Sequence, residues 1–301
     1  MNGYTSSEHA REVIDELFRS GSREQKRGDK AFAGGHYRDA VKHYLSAYDP
    51  KAQRQSKAEL AHKLATAYKR LENYNRYLQF EEQASALYAQ ICTNQSADFL
   101  KAAGDTLRMA DEDELAARAY RLASHYYASA STEEGEEGLS LVWSAWSIVC
   151  KSKATRDASP VPWSEAARTF TRAAEKSKNL ETYRKAKAIQ CTALCKIYST
   201  PTAANLNEAV ANFKKAARFE QFSARARICL LATQTLAASE AEAPKFLRQL
   251  TPTLDDIECP SELKERLHIA THMLNKKGGS PHETLKKLYT PLRTLTEATA
   301  L

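Results

Sequence analysis

The stretch KRGDKAFAGGHYRDAVKHYLSAYDP, residues 26–50, spaces its small and aromatic residues in a way that decides the fold. Gly28 has no side chain and so leaves a groove on a first helix. Gly35 is expected to end that helix, because glycine is common at helix C-termini. A second helix follows, because small and aromatic residues recur every three or four positions before Pro50. The residues of this apolar stripe are Tyr37, Ala40, Tyr44 and Ala47. The stretch therefore predicts two helices joined by a short turn.

The same landmarks return twice further along the chain. Gly28 corresponds to Ala65 and Gly104, at successive offsets of 37 and 39 residues, and the second helices repeat at the same offsets. Small residues on both helices let a pair pack closely, and an aromatic side chain fills the remaining gap. The expected packing positions of the two further units are Ala65, Gly104, Ala116, Tyr120 and Ala123.

This pattern resembles the tetratricopeptide repeat, a helix-turn-helix unit with small residues on both helices, Gly-x-Tyr at the turn and a final Pro. Residues 26–50 match nearly all of it, whereas the second unit has Glu72 where a Gly is usual. The resemblance implies a right-handed superhelix of about six helix pairs, closed by C-terminal capping helices. Caps are needed because a terminal repeat would otherwise expose a whole apolar face.

An all-α fold is also what the composition favours. The 301 residues include only ten Gly and nine Pro, and alternating β-branched runs are missing. Weaker forms of the second-helix pattern at 163–176 and 206–219 predict further repeats, with first helices near 137–151 and 180–198. We divide the solenoid into N-terminal repeats at 1–130, divergent repeats at 131–250 with a loop at 152–162, and capping helices at 251–301.

Charge is distributed unevenly along the chain. Residues 1–150 carry a net charge of −3 and residues 151–301 a net charge of +10. Within 151–218, 14 Lys and Arg stand against 5 Asp and Glu. Such a concentration of positive charge attracts an acidic partner. We predict a partner-binding basic face formed by Lys151, Lys153, Arg168, Arg172, Lys176, Lys178, Arg184, Lys185, Lys187, Lys214, Lys215 and Arg218.

The sequence shows no coherent set of catalytic residues. A glycine-rich phosphate loop, a nucleophile elbow and a dinucleotide fingerprint are all missing. The pair His268 and His272 has a spacing that could hold a metal, as does the pair Cys191 and Cys195, but neither pair has evident further ligands. We interpret both pairs as structural and expect no enzyme activity, no cofactor and no metal. The six cysteines are expected to be reduced and mostly buried.

A non-catalytic adaptor or scaffold is the predicted function. The solenoid groove and the basic face would bind a protein partner with an acidic surface or segment, or a much larger assembly. A chaperone carboxylate clamp, in which Lys, Asn and Arg side chains hold a C-terminal carboxylate, is not expected at the matching places in this chain. Asp29 would repel the carboxylate of the ligand, and Leu100 cannot bind it. Those places hold Gln25, Asp29, Lys63, Ser96 and Leu100.

Two alternative binding functions remain. The stretch AGDTLRMADEDELAARAYRLASHY resembles the repeats of soluble NSF attachment proteins, whose longer period fits better than the usual period of about 34 residues. That resemblance implies a vesicle-trafficking adaptor that binds acidic helical bundles. A nucleic-acid-associated helical repeat protein ranks last, because no interleaved aromatic platform supports it. The longest apolar stretch, residues 139–150, is too short to span a bilayer, so we expect a cytoplasmic protein without an integral membrane segment.

Overall fold

The computed structural model describes most of the chain. The described residues are 23–48, 52–89, 93–130, 134–155, 159–176, 181–199, 202–218, 224–239, 241–254, 265, 267–269, 272 and 281–300. They form helices joined by short turns, and no strand occurs among them. The fold is all-α, as the composition predicted.

The chain divides into two compact units, Met1–Glu136 and Glu137–Leu301. In the first unit, helices that follow one another in the chain pack against one another, so helical hairpins stack in sequence order. This arrangement is an α-solenoid of tetratricopeptide-like hairpins. Its helices are α1 (Arg23–Ala33), α2 (Tyr37–Ala47), α3 (Arg54–Arg70), α4 (Tyr74–Tyr88), α5 (Thr93–Met109) and α6 (Asp113–Ala130).

The second unit continues the same kind of consecutive packing. Helices α8 to α11 each pack against the next in the chain, and α13 packs on α11. Trp146 of α7 meets Phe170 of α8 edge to face, with ring centroids 6.0 Å apart. The helices are α7 (Glu134–Thr155), which belongs to this unit from Glu137 onward, α8 (Val161–Glu175), α9 (Glu181–Tyr198), α10 (Ala203–Ala217), α11 (Ala224–Ala237), α12 (Ala243–Thr253) and α13 (Pro281–Ala300).

The loop and the capping helices predicted from the sequence both lie in the second unit. Helix α7 continues to Thr155 and α8 begins at Val161, so helix occupies both ends of the loop expected at 152–162. Ser159 supports the start of α8, because its Oγ accepts a 3.2 Å hydrogen bond from the Val161 amide. In the capping region, α13 buries Leu288, Leu292 and Leu295 in a core shared with α11 and α12. Residues 255–280, the rest of the region expected to form capping helices, lie largely outside the described residues.

Close helix packing in the first unit depends on two glycines. A Cβ added to Gly28 would lie 2.5 Å from Tyr44 Cε1, and one added to Gly104 would lie 2.6 Å from Tyr120 Cε1. The phenol groups also bind the aspartates that follow these glycines: Tyr44 donates to Asp29 at 2.9 Å and Tyr120 donates to Asp105 at 2.7 Å. The first and third hairpins are thus held by the same contact. Among the other expected packing positions, Ala40, Ala65, Ala116 and Ala123 are fully buried, while Tyr37 and Ala47 are half-buried.

The turn inside each of these hairpins has one backbone conformation in common. Gly35, Glu72 and Asp111 occupy equivalent positions, with φ values of 77°, 56° and 57°. After each of them, an amide donates back across the last helical turn, as in His36 N–H to Ala31 O at 2.9 Å. This is the left-handed helix end that favours glycine. The sequence places Gly at only the first of the three positions.

The middle hairpin replaces the Gly–Tyr contact by a charged pair. Ala65 stands in the place of Gly28, and Glu81 stands in the place of Tyr44. Glu81 is buried, and its Oε2 lies 3.0 Å from His62 Nδ1. Burial by itself lowers the pKa of His62, but the charge of Glu81 and this hydrogen bond outweigh burial and raise that pKa above its ordinary value.

Two further observations concern the whole described part of the chain. None of its helices is long and apolar enough to cross a membrane. The described cysteines are free thiols, as expected, and all except Cys195 are buried: Cys150, Cys191, Cys195 and Cys229.

Candidate functional site

Burial removes two residues from the predicted basic face. Arg184 has 1% of its surface exposed, and its Nη1 donates a 2.7 Å hydrogen bond to Ala173 O in the last turn of α8. A buried cation here satisfies a carbonyl at the negative end of the helix dipole. Burial also lowers the pKa of Arg184. Lys187, with 9% exposed, lies over the ring of Tyr183. Arg184 therefore joins two helices instead of facing a partner.

Ion pairs neutralise other members of the predicted face. Lys176 Nζ lies 3.0 Å from Glu137 Oε2, and Lys185 pairs with Glu181 one turn away on α9. These pairs leave less positive charge for an external ligand. Lys153 is half-buried, and Lys178 lies outside the described residues.

The remaining cations of the predicted basic face are exposed to solvent. Their side chains make no ion pair or hydrogen bond with the described residues. Arg168 and Arg172 lie one turn apart on α8, and Lys214 and Lys215 lie side by side on α10. Two further exposed cations, Lys151 and Arg218, complete this set. We use "exposed basic residues" for Lys151, Arg168, Arg172, Lys214, Lys215 and Arg218.

Among the exposed basic residues, Arg168 and Arg172 line a pocket in the described part of the chain. This pocket has a volume of about 430 Å³ and lies between α8 and α9. We call it the arginine pocket. Its lining includes no described carboxylate, and the residues are Ser164, Ala167, Arg168, Thr171, Arg172, Thr192 and Cys195.

The polar groups of the arginine pocket differ in what they can donate. Thr171 Oγ1 donates to Ala167 O and Thr192 Oγ1 donates to Ala188 O, each at 2.9 Å, so both hydroxyl protons are engaged within their own helices. The Ser164 hydroxyl has no such bond to a described residue. The donors available to a ligand are therefore two guanidinium groups and one hydroxyl.

The thiols at and near the arginine pocket are not activated as nucleophiles. Burial raises the pKa of the Cys195 thiol, and it raises the pKa of Cys191 to about 12. Both thiols are therefore protonated at neutral pH and are poor nucleophiles. No described carboxylate or imidazole lines the pocket to act as a general base.

Sequence reasoning found both arginines but missed the residues that complete the pocket. Ser164 and Thr192 lie 28 positions apart and become neighbours only because α8 and α9 pack against each other. The hydrogen bond from Arg184 to Ala173 shows that the end of α8 lies beside the start of α9. Assuming an antiparallel register for the two predicted helices would have brought these residues together.

A second pocket, of about 450 Å³, lies in the first unit. Its Arg118 Nη2 lies 2.5 Å from Glu82 Oε2, so one cation is already paired with a carboxylate on the pocket wall. Arg121 also lines this pocket, and burial, together with the charge of Glu82, raises the pKa of Tyr126. Because Glu82 is paired with Arg118, the lining of this pocket carries a net charge of +1, compared with +2 for the lining of the arginine pocket.

The clamp positions do not form a carboxylate site. Lys63 Nζ donates to both carboxylate oxygens of Asp29, at 2.9 and 3.1 Å, and this ion pair joins α1 to α3. Ser96 and Leu100 are fully buried. An incoming carboxylate would have to compete with Asp29 for the lysine.

Metal ligation finds little support in the described residues. No three His, Cys, Asp or Glu side chains among them gather as a metal site would require. His268 and His272 are both exposed.

Comparison with known proteins gives similarity to solved structures. No protein-family model matches the sequence, and no curated protein matches it. Among solved structures, the chain is similar to the TPR2AB-domain:pHSP90-complex of yeast Sti1, with a TM-score of 0.31 and 13% sequence identity. The match covers 88% of this chain and 99% of that chain. The fold assignment rests on the helix packing described above and not on this similarity.

Proposed function

We propose that this protein is a non-catalytic adaptor that binds an acidic segment of a protein partner through Arg168 and Arg172, the two arginines of the arginine pocket. The observation that carries the proposal is the arginine pocket, where Arg168 and Arg172 face solvent without a described counter-ion. A pair of unneutralised guanidinium groups attracts carboxylate or phosphate groups and forms charge-assisted hydrogen bonds with them.

The solenoid supports the same function. Stacked hairpins present side chains from successive helices on an extended surface, which suits a partner that is itself a protein. The described lining of the arginine pocket contains no general base, and no group of metal-ligating side chains occurs among the described residues. These features favour recognition over catalysis.

Two other functions use the same charge. A vesicle-trafficking adaptor similar to soluble NSF attachment proteins is a narrower form of the proposal, in which the acidic segment belongs to a helical bundle. Its support is the long repeat, whose helices α3 to α6 have 15 to 18 residues. A nucleic-acid partner would meet the same arginines through phosphate groups.

The test is affinity purification of the intact protein from its own cytosol, at about 0.15 M and about 0.5 M salt, because screening weakens exposed charge pairs over this range. The charge-reversal variant is Arg168→Glu with Arg172→Glu. The matched control is Lys214→Glu with Lys215→Glu, which makes the same charge change on an exposed helix of the same unit. Reversal of Arg184 or Lys187 is unsuitable, since both are buried.

We expect one protein to bind the wild type at low salt, to be lost in the arginine variant and to be retained by the lysine control. Nuclease treatment before capture separates a protein partner from a nucleic acid. A partner that survives both the arginine reversal and the higher salt would contradict the proposal, because its interface would then be largely apolar.

A further inference from the structure

The arginine pocket has a donor set that suits a tetrahedral anion. Arg168 and Arg172 are separated by one helical turn, so they lie on the same face of α8, and both line the pocket. Ser164 lies one turn before Arg168 on the same helix and lines the same pocket. A ligand between them meets two cations and a hydroxyl.

Charge distinguishes the possible ligands. A carboxylate carries one negative charge on two oxygens, and a single arginine satisfies it in bidentate fashion. A phosphate monoester carries close to two negative charges on three acceptor oxygens at neutral pH. Two unneutralised arginines with an additional hydroxyl donor match the phosphate in both charge and number of acceptors.

Two other described regions with exposed cations lack this combination. The pocket of the first unit already contains the Glu82 carboxylate, which pairs with Arg118. Lys214 and Lys215 are exposed but line neither pocket. Lysine is also a point charge without the planar fork that binds two phosphate oxygens at once.

From these observations, and resting on the adaptor function proposed above, we infer that the arginine pocket binds a phosphorylated serine or threonine in the acidic segment of the partner. Binding of the partner would then depend on its phosphorylation. The backbone of the segment would lie along the groove between α8 and α9, with the phosphate held by Arg168 and Arg172.

The test uses three degenerate peptide libraries on beads, alike except for a fixed central residue: phosphoserine, glutamate or serine. Retention of the intact protein is measured over a range of protein concentrations at about 0.15 M salt. We expect the phosphoserine library to be retained at a protein concentration about tenfold lower than the glutamate library requires, and the serine library not to be retained.

Two variants separate bidentate recognition from general attraction. Arg168→Lys with Arg172→Lys keeps both charges but removes the guanidinium forks, and we expect the preference for phosphoserine over glutamate to fall to about twofold or less. Lys214→Glu with Lys215→Glu should keep the preference, since these lysines lie outside the pocket. Equal loss in the lysine control would show non-specific attraction and overturn the inference.

Cys195 provides a readout located at the pocket itself, because it lines the pocket and is only half-buried. Alkylation of this thiol can be followed by peptide mass spectrometry, which resolves it from the other cysteines. We expect the phosphoserine library to slow alkylation of Cys195 more than the glutamate library does in the wild type, and about as much as the glutamate library does in the Arg→Lys variant. Unchanged alkylation despite library binding would place the phosphate elsewhere and overturn the inference.

Different experimental results would contradict the phosphate inference and the proposed adaptor function. If a captured partner is lost in the arginine reversal but binds equally well after phosphatase treatment, the adaptor function stands and the phosphate inference is wrong. Equal retention of the phosphoserine and glutamate libraries leads to the same conclusion. If the partner is indifferent to the arginine reversal, the proposed function itself is wrong.

Discussion

The ring of Tyr44 lies against the Cα of Gly28, so close that a Cβ on Gly28 would be 2.5 Å from Tyr44 Cε1. Tyr120 and Gly104 repeat the relationship in the third hairpin at 2.6 Å. Tyr44 and Tyr120 are each 1% exposed, so neither ring can move outward without leaving the core. This contact sets how closely the two helices of a hairpin approach.

We predict that Gly28→Ala destabilises the first unit by about 1–3 kcal/mol, because overpacking displaces a buried ring. Helix propensity acts in the opposite direction, since Ala is favoured over Gly in a helix by about 0.5–1 kcal/mol. Urea unfolding followed by far-ultraviolet circular dichroism measures the net change. Tryptophan fluorescence would not report it, since all three tryptophans lie in the second unit.

The matched control is Gly34→Ala, where the nearest atom to an added Cβ is on the flexible side chain of His36 at 3.2 Å. We expect this variant to unfold like the wild type. A Gly28→Ala protein at least as stable as the wild type would show that Tyr44 repacks freely.

Glu72→Gly is predicted to stabilise the middle hairpin. Glu72 has a φ of 56°, a conformation that costs a residue with a Cβ about 1–2 kcal/mol. Glycine removes this strain but gains entropy in the unfolded chain, so we expect a net gain of up to about 1 kcal/mol. The urea midpoint by circular dichroism is the measurement.

Glu72→Ala is the control for loss of the side chain alone, because alanine keeps the strained backbone. It should leave the midpoint close to that of the wild type. If the alanine variant stabilises as much as the glycine variant, backbone strain is not the cause.

Adjacent residues on α9 should respond very differently to charge reversal. Arg184→Glu places a carboxylate, buried and unpaired, beside Ala173 O, and we expect it to destabilise the second unit by about 3–5 kcal/mol. Lys185→Glu changes an exposed side chain, so its effect should stay within about 1 kcal/mol. Tryptophan fluorescence during urea unfolding reports both, because Trp146 and Trp163 are buried in this unit. Similar midpoints for the two variants would mean that Arg184 is not buried in solution.

The His62–Glu81 pair should make the first unit sensitive to pH. The folded-state pKa of His62 is raised, so the stability from its protonated form is fully present below the ordinary value of 6.5 and is lost as pH rises through the higher folded value. Lys69 opposes the shift but does not reverse it. We expect the wild type to lose stability relative to His62→Gln as pH increases above 6.5.

Urea midpoints of both proteins, measured by circular dichroism at several pH values from about 5.5 to 8.5, give this difference directly. Glutamine can still donate a hydrogen bond to Glu81 but does not titrate in this range. A wild-type minus variant difference that is constant with pH would contradict the raised pKa.

The hairpin repeats were predictable because their signals are local. Gly28 and Tyr44 belong to consecutive helices joined by a short turn, so their spacing predicted that the two helices pack closely. The contact between the Tyr44 ring and Gly28 itself is a finding of the structure. The consequence of Glu72 was not predictable in the same way. The sequence showed that a glycine was missing there, but the left-handed backbone became evident only in the folded turn.

The sequence by itself determined the fold class and the region of positive charge, because helix propensity, residue spacing and net charge need no knowledge of neighbours in space. The tertiary structure decided which cations face a partner. Arg184 is buried as a helix cap, Lys176 is neutralised by Glu137, and Arg168 and Arg172 stay unpaired beside a pocket. Burial and pairing depend on helices that meet only after folding. Cations that look alike in the sequence therefore differ in exposure and in ion pairing once the chain is folded.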